Sequence, residues 1–281
     1  MTRIFIDGAH GTVGLALKEH LEDLVQAGVQ LIEIDDEQRK NVTARGDAYA
    51  EADLVVLCLP DEEARLAAIR VDRANHRARI LDASAAHRCD VDWVYGLPQI
   101  TDKLDIQRAK YVANPGCFAT ACILAAVPIR NVGHNVADFY GITGYSAGGK
   151  RADTTPRLAQ FGKEHRHLAE IRRYGIASPS LTTTVGSWER GMLVQATVHF
   201  PFEVALASFK HFYKDDEEVT VTHVMNDRTL PIESCNGTNK VNIYLTQLPG
   251  TDRTSIAVVL DNLGKGSAHA AAKNIRLMLG L

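Results

Sequence analysis

The stretch Arg3-Ile4-Phe5-Ile6-Asp7-Gly8-Ala9-His10-Gly11-Thr12-Val13-Gly14 decides how the rest of the chain is read. Arg3 to Asp7, an Ile-Phe-Ile run with β-branched residues between charged ends, reads as a strand. Three glycines follow at three-residue spacing. An amphipathic helix is then expected over 15–24, with its apolar face at Leu15, Leu17, Leu21 and Leu24. Strand, glycine turn and helix in that order form the setting of a dinucleotide-binding turn. Gly8 permits the tight turn, Gly11 admits a pyrophosphate to the backbone, and Gly14 lets helix and strand pack closely. Candidate cofactor contacts are therefore Gly8, His10, Gly11, Thr12, Val13 and Gly14, with the phosphates on the helix N-terminus. The spacing is G-x-x-G-x-x-G, and a glycine-rich turn without a ligand is the alternative.

The next hundred residues keep the alternation of strand and helix. Val29 to Ile34 reads as the second strand, followed by Asp35, Asp36, Arg39 and Lys40. An acid here suits a ribose 2′-hydroxyl and a basic residue a 2′-phosphate. Both are present, so this segment leaves NAD and NADP open, with Arg39 the candidate phosphate contact. Leu54 to Leu59 is an apolar run stopped by Pro60, as in a parallel strand buried on both faces. A helix over 62–69 and a strand over 79–82 follow. Ligands of such sheets lie beyond the C-terminal strand ends, where Pro60, Ser84 and Arg88 fall. Arg88 is a candidate clamp for an anionic substrate; a surface arginine is the alternative. Tyr95-Gly96-Leu97-Pro98 reads as a turn.

Ala113-Asn114-Pro115-Gly116-Cys117-Phe118-Ala119-Thr120 ends one strand and begins a helix with Cys117 at its N-terminus. Unpaired amides and the positive end of the helix dipole favour a thiolate there. The same amides suit an oxyanion formed when sulfur attacks a carbonyl. A buried structural cysteine is the competing reading. Beyond Pro128 the strands lengthen: 136–143, 192–200, 219–223, 241–247 and 254–260. Gly144 to Lys150, holding Ser146, Gly148 and Lys150, reads as a loop suited to close approach of a ligand. His165-Arg166-His167 supplies candidate acid–base groups, since histidine titrates nearest neutrality. On a helix the two side chains would diverge, leaving one to face Cys117. Asp261-Asn262-Leu263-Gly264-Lys265-Gly266 precedes a last helix and is a candidate anion-binding turn.

The fold expected is α/β: an N-terminal Rossmann-like doubly wound parallel sheet with a second α+β domain built on a mainly antiparallel sheet. Residues 1–116 form the first domain and 117–262 the second. A net charge of −3 excludes a broad nucleic-acid-binding surface. No apolar stretch reaches the length of a membrane span, the N-terminus lacks a signal-peptide core, and five cysteines without a Cys-x-x-Cys pair suggest a reducing cytosol and neither disulfides nor metal.

Gly8–Gly14, Asp82-Ala83-Ser84-Ala85, Tyr95–Pro98, Asn114–Cys117, His165–His167 and Asp261–Gly266 together resemble the N-acetyl-gamma-glutamyl-phosphate reductase family, in its shorter branch, in order and over nearly the whole chain. Ala86-His87 ahead of Arg88, and Phe118-Ala119 in place of Tyr-Pro, depart from the family pattern. The resemblance implies an NADP(H)-dependent oxidoreductase of arginine biosynthesis. In it Cys117 displaces phosphate from N-acetyl-L-glutamyl 5-phosphate, the thioester is reduced, and the semialdehyde is released. It places the acid–base residue at His165 or His167, with His167 favoured. It extends the cofactor contacts to Ser146, Gly148, Asn262 and Gly264, and the substrate contacts to Arg88, Asn114 and Lys150. It further implies that the C-terminal helix, 263–281, returns to complete the first domain. The large strand-rich second domain suits self-association, so a homo-oligomer, dimer or tetramer, is expected. Competing readings are another phosphorylating semialdehyde dehydrogenase, acting on an aspartyl or aminoadipyl substrate, a catalytically inactive nucleotide-binding regulator, and a cysteine hydrolase, which leaves the glycine turn unexplained.

Overall fold

The structure, a computed structural model, describes residues 1–130, 136–151, 153–225 and 229–281, without the side chains at 136–137 and 149–151. The chain divides into two compact units, Met1–Pro115 with Ser267–Leu281, and Gly116–Gly266.

The first unit runs β1 (Arg3–Asp7), α1 (Thr12–Glu19), α2 (Glu22–Gln26), β2 (Gln30–Ile32), α3 (Val42–Glu51), β3 (Leu54–Leu57), α4 (Asp61–Ala74), β4 (Arg79–Asp82), β5 (Val94–Tyr95), α5 (Lys103–Arg108) and β6 (Tyr111–Ala113). The six strands form a wholly parallel sheet in the order β2-β1-β3-β4-β6-β5. Strand alternation sends Ile4, Ile6, Leu54, Val56 and Leu81 to one face and Phe5, Val55, Leu57 and Ile80 to the other. Helices cover both faces, which is why β3 is apolar throughout. Each fully buried Leu or Ile contributes about 1.5–3 kcal/mol.

The second unit runs α6 (Cys117–Ala126), β7 (Val136–Thr143), β8 (Arg157–Ala159), α7 (Leu168–Tyr174), β9 (Ser178–Val185), β10 (Met192–Val198), α8 (Phe202–Phe212), β11 (Val219–His223), β12 (Val241–Gln247) and β13 (Thr254–Leu260). Its seven strands are ordered β11-β12-β13-β10-β7-β9-β8. The sheet is mixed: β7–β9 and β11–β12 pair in parallel and the other four pairs are antiparallel. Helix α6 packs on β13, β10 and β7. It is apolar on every side, as a helix sunk in a core must be, and only Cys117 of its residues is not buried.

The chain then returns to the first unit through α9 (His269–Leu279). Ala271, Ala272, Ile275 and Met278 enter the cluster built on Ile4, Leu17, Leu54 and Leu81. The Arg79 guanidinium, at the start of β4, donates to the carbonyls of Gln107 at 2.6 Å, Ala109 at 2.9 Å and Met278, so one cation caps the ends of α5 and α9. Asn274 of α9 is fully buried. Its amide donates to the Gly96 carbonyl at 2.8 Å and to Asn114 Oδ1 at 3.1 Å.

Several expected boundaries move for identifiable reasons. The first helix begins at Thr12, directly after the glycine turn, and breaks before Glu22. β2 keeps only Gln30–Ile32, at the sheet edge. β3 stops at Leu57, ahead of Cys58, whose carbonyl lies where a Cβ on Gly8 would fall. The helix expected over 62–69 extends over Asp61–Ala74. Val94–Tyr95, at the edge of the expected turn, adds a short strand beside β6. The expected loop after β7 is a tight helical turn, Tyr145–Arg151.

A Cβ at Gly96 would lie 2.4 Å from Asn274 Nδ2. That amide is buried and held at two points, so it cannot swing aside. Gly96→Ala is expected to cost about 1–3 kcal/mol, read as a lowered Tm in calorimetry of the purified chain, with Gly46→Ala, whose Cβ meets nothing within 4 Å, as the control.

Candidate active site

In the first unit, the sheet order reverses between β1 and β3, and ligands of such sheets lie beyond that point. Gly8 sits there with φ +90°, and a Cβ on it would lie 2.2 Å from the Cys58 carbonyl oxygen. A Cβ on Gly14 would lie 2.5 Å from the Gly8 carbonyl oxygen. Gly11 is the N-cap of α1; no side chain caps this helix and no acid occupies its first turn. The first-turn amides and dipole thus suit a pyrophosphate. His10 Nε2 lies 2.6 Å from Asp36 Oδ1, and Arg39 is exposed beyond β2. Pro60 is the N-cap of α4. The Ser84 hydroxyl donates to Asp82 Oδ2 at 2.8 Å, and His87 Nδ1 lies 2.7 Å from the same oxygen. Arg88 is buried, its Nε donating to the Asn114 carbonyl at 2.9 Å. The Asn114 amide donates to the Ser267 carbonyl at 3.1 Å. Arg88 and Asn114, named from sequence as substrate contacts, thus also hold the turn that leads into Cys117.

In the second unit, Cys117 is the first residue of α6, and the N-cap Gly116 has extended backbone and no side chain to compete for the first-turn amides. A Cβ at Gly266 would lie 2.5 Å from Cys117 Cβ. The turn carrying Gly266 is built on Asp261, wholly buried, which accepts from Arg190 Nη2 at 2.5 Å, Gly237 N at 2.7 Å and Leu263 N at 3.0 Å. Asn262 accepts from Gly191 N at 2.8 Å and donates to Ser146 Oγ at 2.9 Å. Ser146 and Asn262 are thereby tied together, and a Cβ on Gly264, in the same turn, would lie 2.9 Å from Asp261 Cβ. Gly148 lies in the tight turn, and the Lys150 side chain is outside the described residues.

His165 and His167 are both buried. Helix α7 begins only at Leu168, with His167 as its N-cap, so the divergence expected of two helical positions does not occur. The rings lie 4.8 Å apart, and both pack on Phe118, the residue after Cys117, at 5.6 and 6.3 Å. Phe118 itself fills the space above Gly141 of β7, where a Cβ would come within 2.3 Å of the ring. The His167 backbone N–H donates to His165 Nδ1 at 3.2 Å, which places the His165 proton on Nε2. Burial, reinforced by the Arg166 charge, lowers the His165 pKa to about 4.

Glu170, to which the sequence assigned no role, and Lys265 of the expected anion-binding turn belong here. Glu170, nearly fully buried, accepts the Gly116 N–H at 3.0 Å. Third after the His167 cap, it has the spacing of a capping-box carboxylate, but the His167 N–H is taken by His165 and the carboxylate turns to Gly116 instead. Lys265, also buried, donates to Glu218 Oε2 at 2.6 Å. Among the described residues no group of three or more His, Cys, Asp or Glu is placed to hold a metal, and no helix is long and apolar enough to cross a membrane.

A parallel dinucleotide-type sheet joined to a unit with a cysteine opening a buried helix defines the semialdehyde dehydrogenase class. Family profiles described as "semialdehyde dehydrogenase, NAD binding domain" and "semialdehyde dehydrogenase, dimerisation domain" match residues 3–107 and 117–262. The fold is shared with aspartate semialdehyde dehydrogenase from Francisella tularensis, at TM-score 0.78 and 13% identity over 99% of this chain and 100% of that one. It is shared also with the NADP-bound enzyme of the same name from Candida albicans, at TM-score 0.70 and 12% identity over 100% and 99%. Proteins named N-acetyl-gamma-glutamyl-phosphate reductase from Burkholderia cenocepacia and Rhizobium rhizogenes are 34% and 31% identical, over 99% of this chain and 97% and 98% of theirs. The chain belongs to the N-acetyl-gamma-glutamyl-phosphate reductase family.

Because the folded His165 pKa lies below its ordinary 6.5, the unfolded chain binds that proton first on acidification. Its stability contribution is complete above about 6.5 and is lost as pH falls towards 4. Tm measured from pH 7 to pH 4 should therefore fall less steeply in His165→Gln than in the parent. Gly266→Ala should displace Cys117 and lower its alkylation rate by iodoacetamide at least about tenfold, read on the Cys117 peptide by mass spectrometry.

Proposed function

We infer that the chain catalyses the NADPH-dependent reduction of N-acetyl-L-glutamyl 5-phosphate to the 5-semialdehyde, releasing phosphate, as a step of arginine biosynthesis. The observation that carries the reading is Cys117 at the uncapped start of α6, with two buried imidazoles against the next residue. The Cys117 sulfur attacks the acyl carbonyl, and phosphate leaves with the C–O bonding pair, giving a thioester. The first-turn amides of α6 suit the oxyanion of that step. NADPH, when bound, supplies a hydride to the thioester carbon. Collapse of the resulting alkoxide expels the Cys117 sulfur and leaves the aldehyde. His167 takes the thiol proton and returns it to the sulfur. His165, neutral at pH 7 and bonded through Nδ1 to the His167 backbone, braces its neighbour.

The glycine turn after β1, the cap-free start of α1, and Arg39 support NADP(H) as the cofactor, with the first unit as its carrier. Ser146, Gly148, Asn262 and Gly264 are assigned to cofactor contact, and Arg88, Asn114 and Lys150 to the substrate. The second unit is assigned to substrate binding, catalysis and self-association. Tyr140, Thr182 and Gln195 share a register row on adjacent strands and are exposed, while Gly141 beside Tyr140 faces Phe118 of α6. That open sheet face fits a second copy of the chain, and one matching profile is named for dimerisation. The cytosol is the expected compartment.

Phosphate-dependent NADP reduction should proceed with N-acetylglutamate semialdehyde and not with aspartate semialdehyde, and the reverse preference would overturn the substrate assignment. NADPH should give a higher kcat/KM than NADH. Cys117→Ser should abolish turnover while NADPH binding, followed by fluorescence titration, stays intact. His167→Asn should lower kcat by roughly 10²–10⁴-fold, and His165→Asn should act mainly on stability.

A further inference from the structure

We propose that Glu170 is the positioning residue of the nucleophile, its carboxylate fixing the turn that presents Cys117. The inference rests on the covalent role of Cys117. An N-cap residue ordinarily secures its helix with its own side chain. Position 116 is a glycine and has none, and the side chain at 117 is reserved for chemistry. The fixing group comes instead from α7: Glu170 Oε2 accepts the Gly116 N–H at 3.0 Å, out of solvent. The bond falls on the amide before Cys117, so it anchors the turn without occupying the amides of the first helical turn. On the other side, the Gly266 backbone leaves no room for Cys117 to retreat. The turn is thus gripped from two elements of the same unit.

The same six residues, His165 to Glu170, carry both imidazoles and this carboxylate. The segment that leads into and opens α7 therefore sets both imidazoles and the nucleophile turn from one short piece. The neighbouring titratable and charged groups are Cys117 and Cys122 on α6, His165, Arg166 and His167 ahead of α7, and Arg172 and Arg173 within it; β9, packed under α7, has none. Burial first, then the charges of Cys117 and Glu170, holds the Cys122 thiol well above its ordinary range, so Cys117 and Glu170 share one electrostatic neighbourhood. A carboxylate there opposes the thiolate, and replacing it with an amide relieves that opposition while keeping an oxygen for the Gly116 N–H.

The test uses the full chain with Glu170→Gln and Glu170→Ala. Glu170→Ala should lose roughly 10²-fold in kcat while KM for NADPH stays within about twofold. Glu170→Gln should keep kcat within about fivefold of the parent. The pH midpoint of Cys117 alkylation by iodoacetamide, read on its peptide, should fall by roughly one unit in Glu170→Gln. This last measurement needs neither substrate nor cofactor, so it stands if the substrate assignment fails, and it decides the matter if Glu170→Ala does not fold. An unchanged midpoint in Glu170→Gln, equal kcat losses in both variants, or a Glu170→Ala enzyme within twofold of the parent would each overturn the proposal.

Discussion

The Cβ of Cys117 occupies the space that any side chain at position 266 would need. This contact ties the nucleophile to a turn whose own shape depends on one buried acid. Asp261 gathers Arg190 and two backbone amides, and its carbonyl accepts the Gly266 N–H at 2.9 Å. The neighbouring Asn262 extends the hold to Gly191 and Ser146. A shift of Cys117 therefore disturbs the segments after β7 and before β10 as well as the turn itself. Truncating a partner of such a network leaves a buried charge or amide unsatisfied, a cost of several kcal/mol.

Charge is placed with the same economy around the thiols. Cys58, Cys122 and Cys235 are all pushed upward, by burial first, and Cys58 reaches about 12. These three remain thiols at any physiological pH. Cys117 is a partly exposed cysteine at a helix start. Reactivity thus follows position rather than residue type. His165 illustrates the converse, since burial keeps it uncharged in a segment that includes Arg166.

Parts of the first unit were legible in the sequence because their signals are local, whereas α3 and α5 carried no marked pattern. β1 and β4 fall on their expected residues, since β-branched runs bounded by Gly or polar residues need no distant partner. The strands at 136–143, 219–223, 241–247 and 254–260 are equally well marked. β9, Ser178 to Val185, was not. It is rich in Ser and Thr, carries Pro179, and owes its place to parallel pairing with β7, more than thirty residues away. The histidine pair was found, but its geometry followed from a helix that begins three residues after His165. Glu170 and Gly266 gained their meaning from contacts that no spacing rule contains, with Gly116 and Cys117 respectively.

The return of α9 to the first unit has a consequence for synthesis. Residues 116–266 are, in topological terms, an insertion within the first unit. The cluster around Ile4, Leu17 and Leu54 stays open until Ala271, Ile275 and Met278 have been added. On the ribosome, the inserted unit has all its strands before its host is whole. The nascent glycine-turn sheet must wait with one apolar face unsealed.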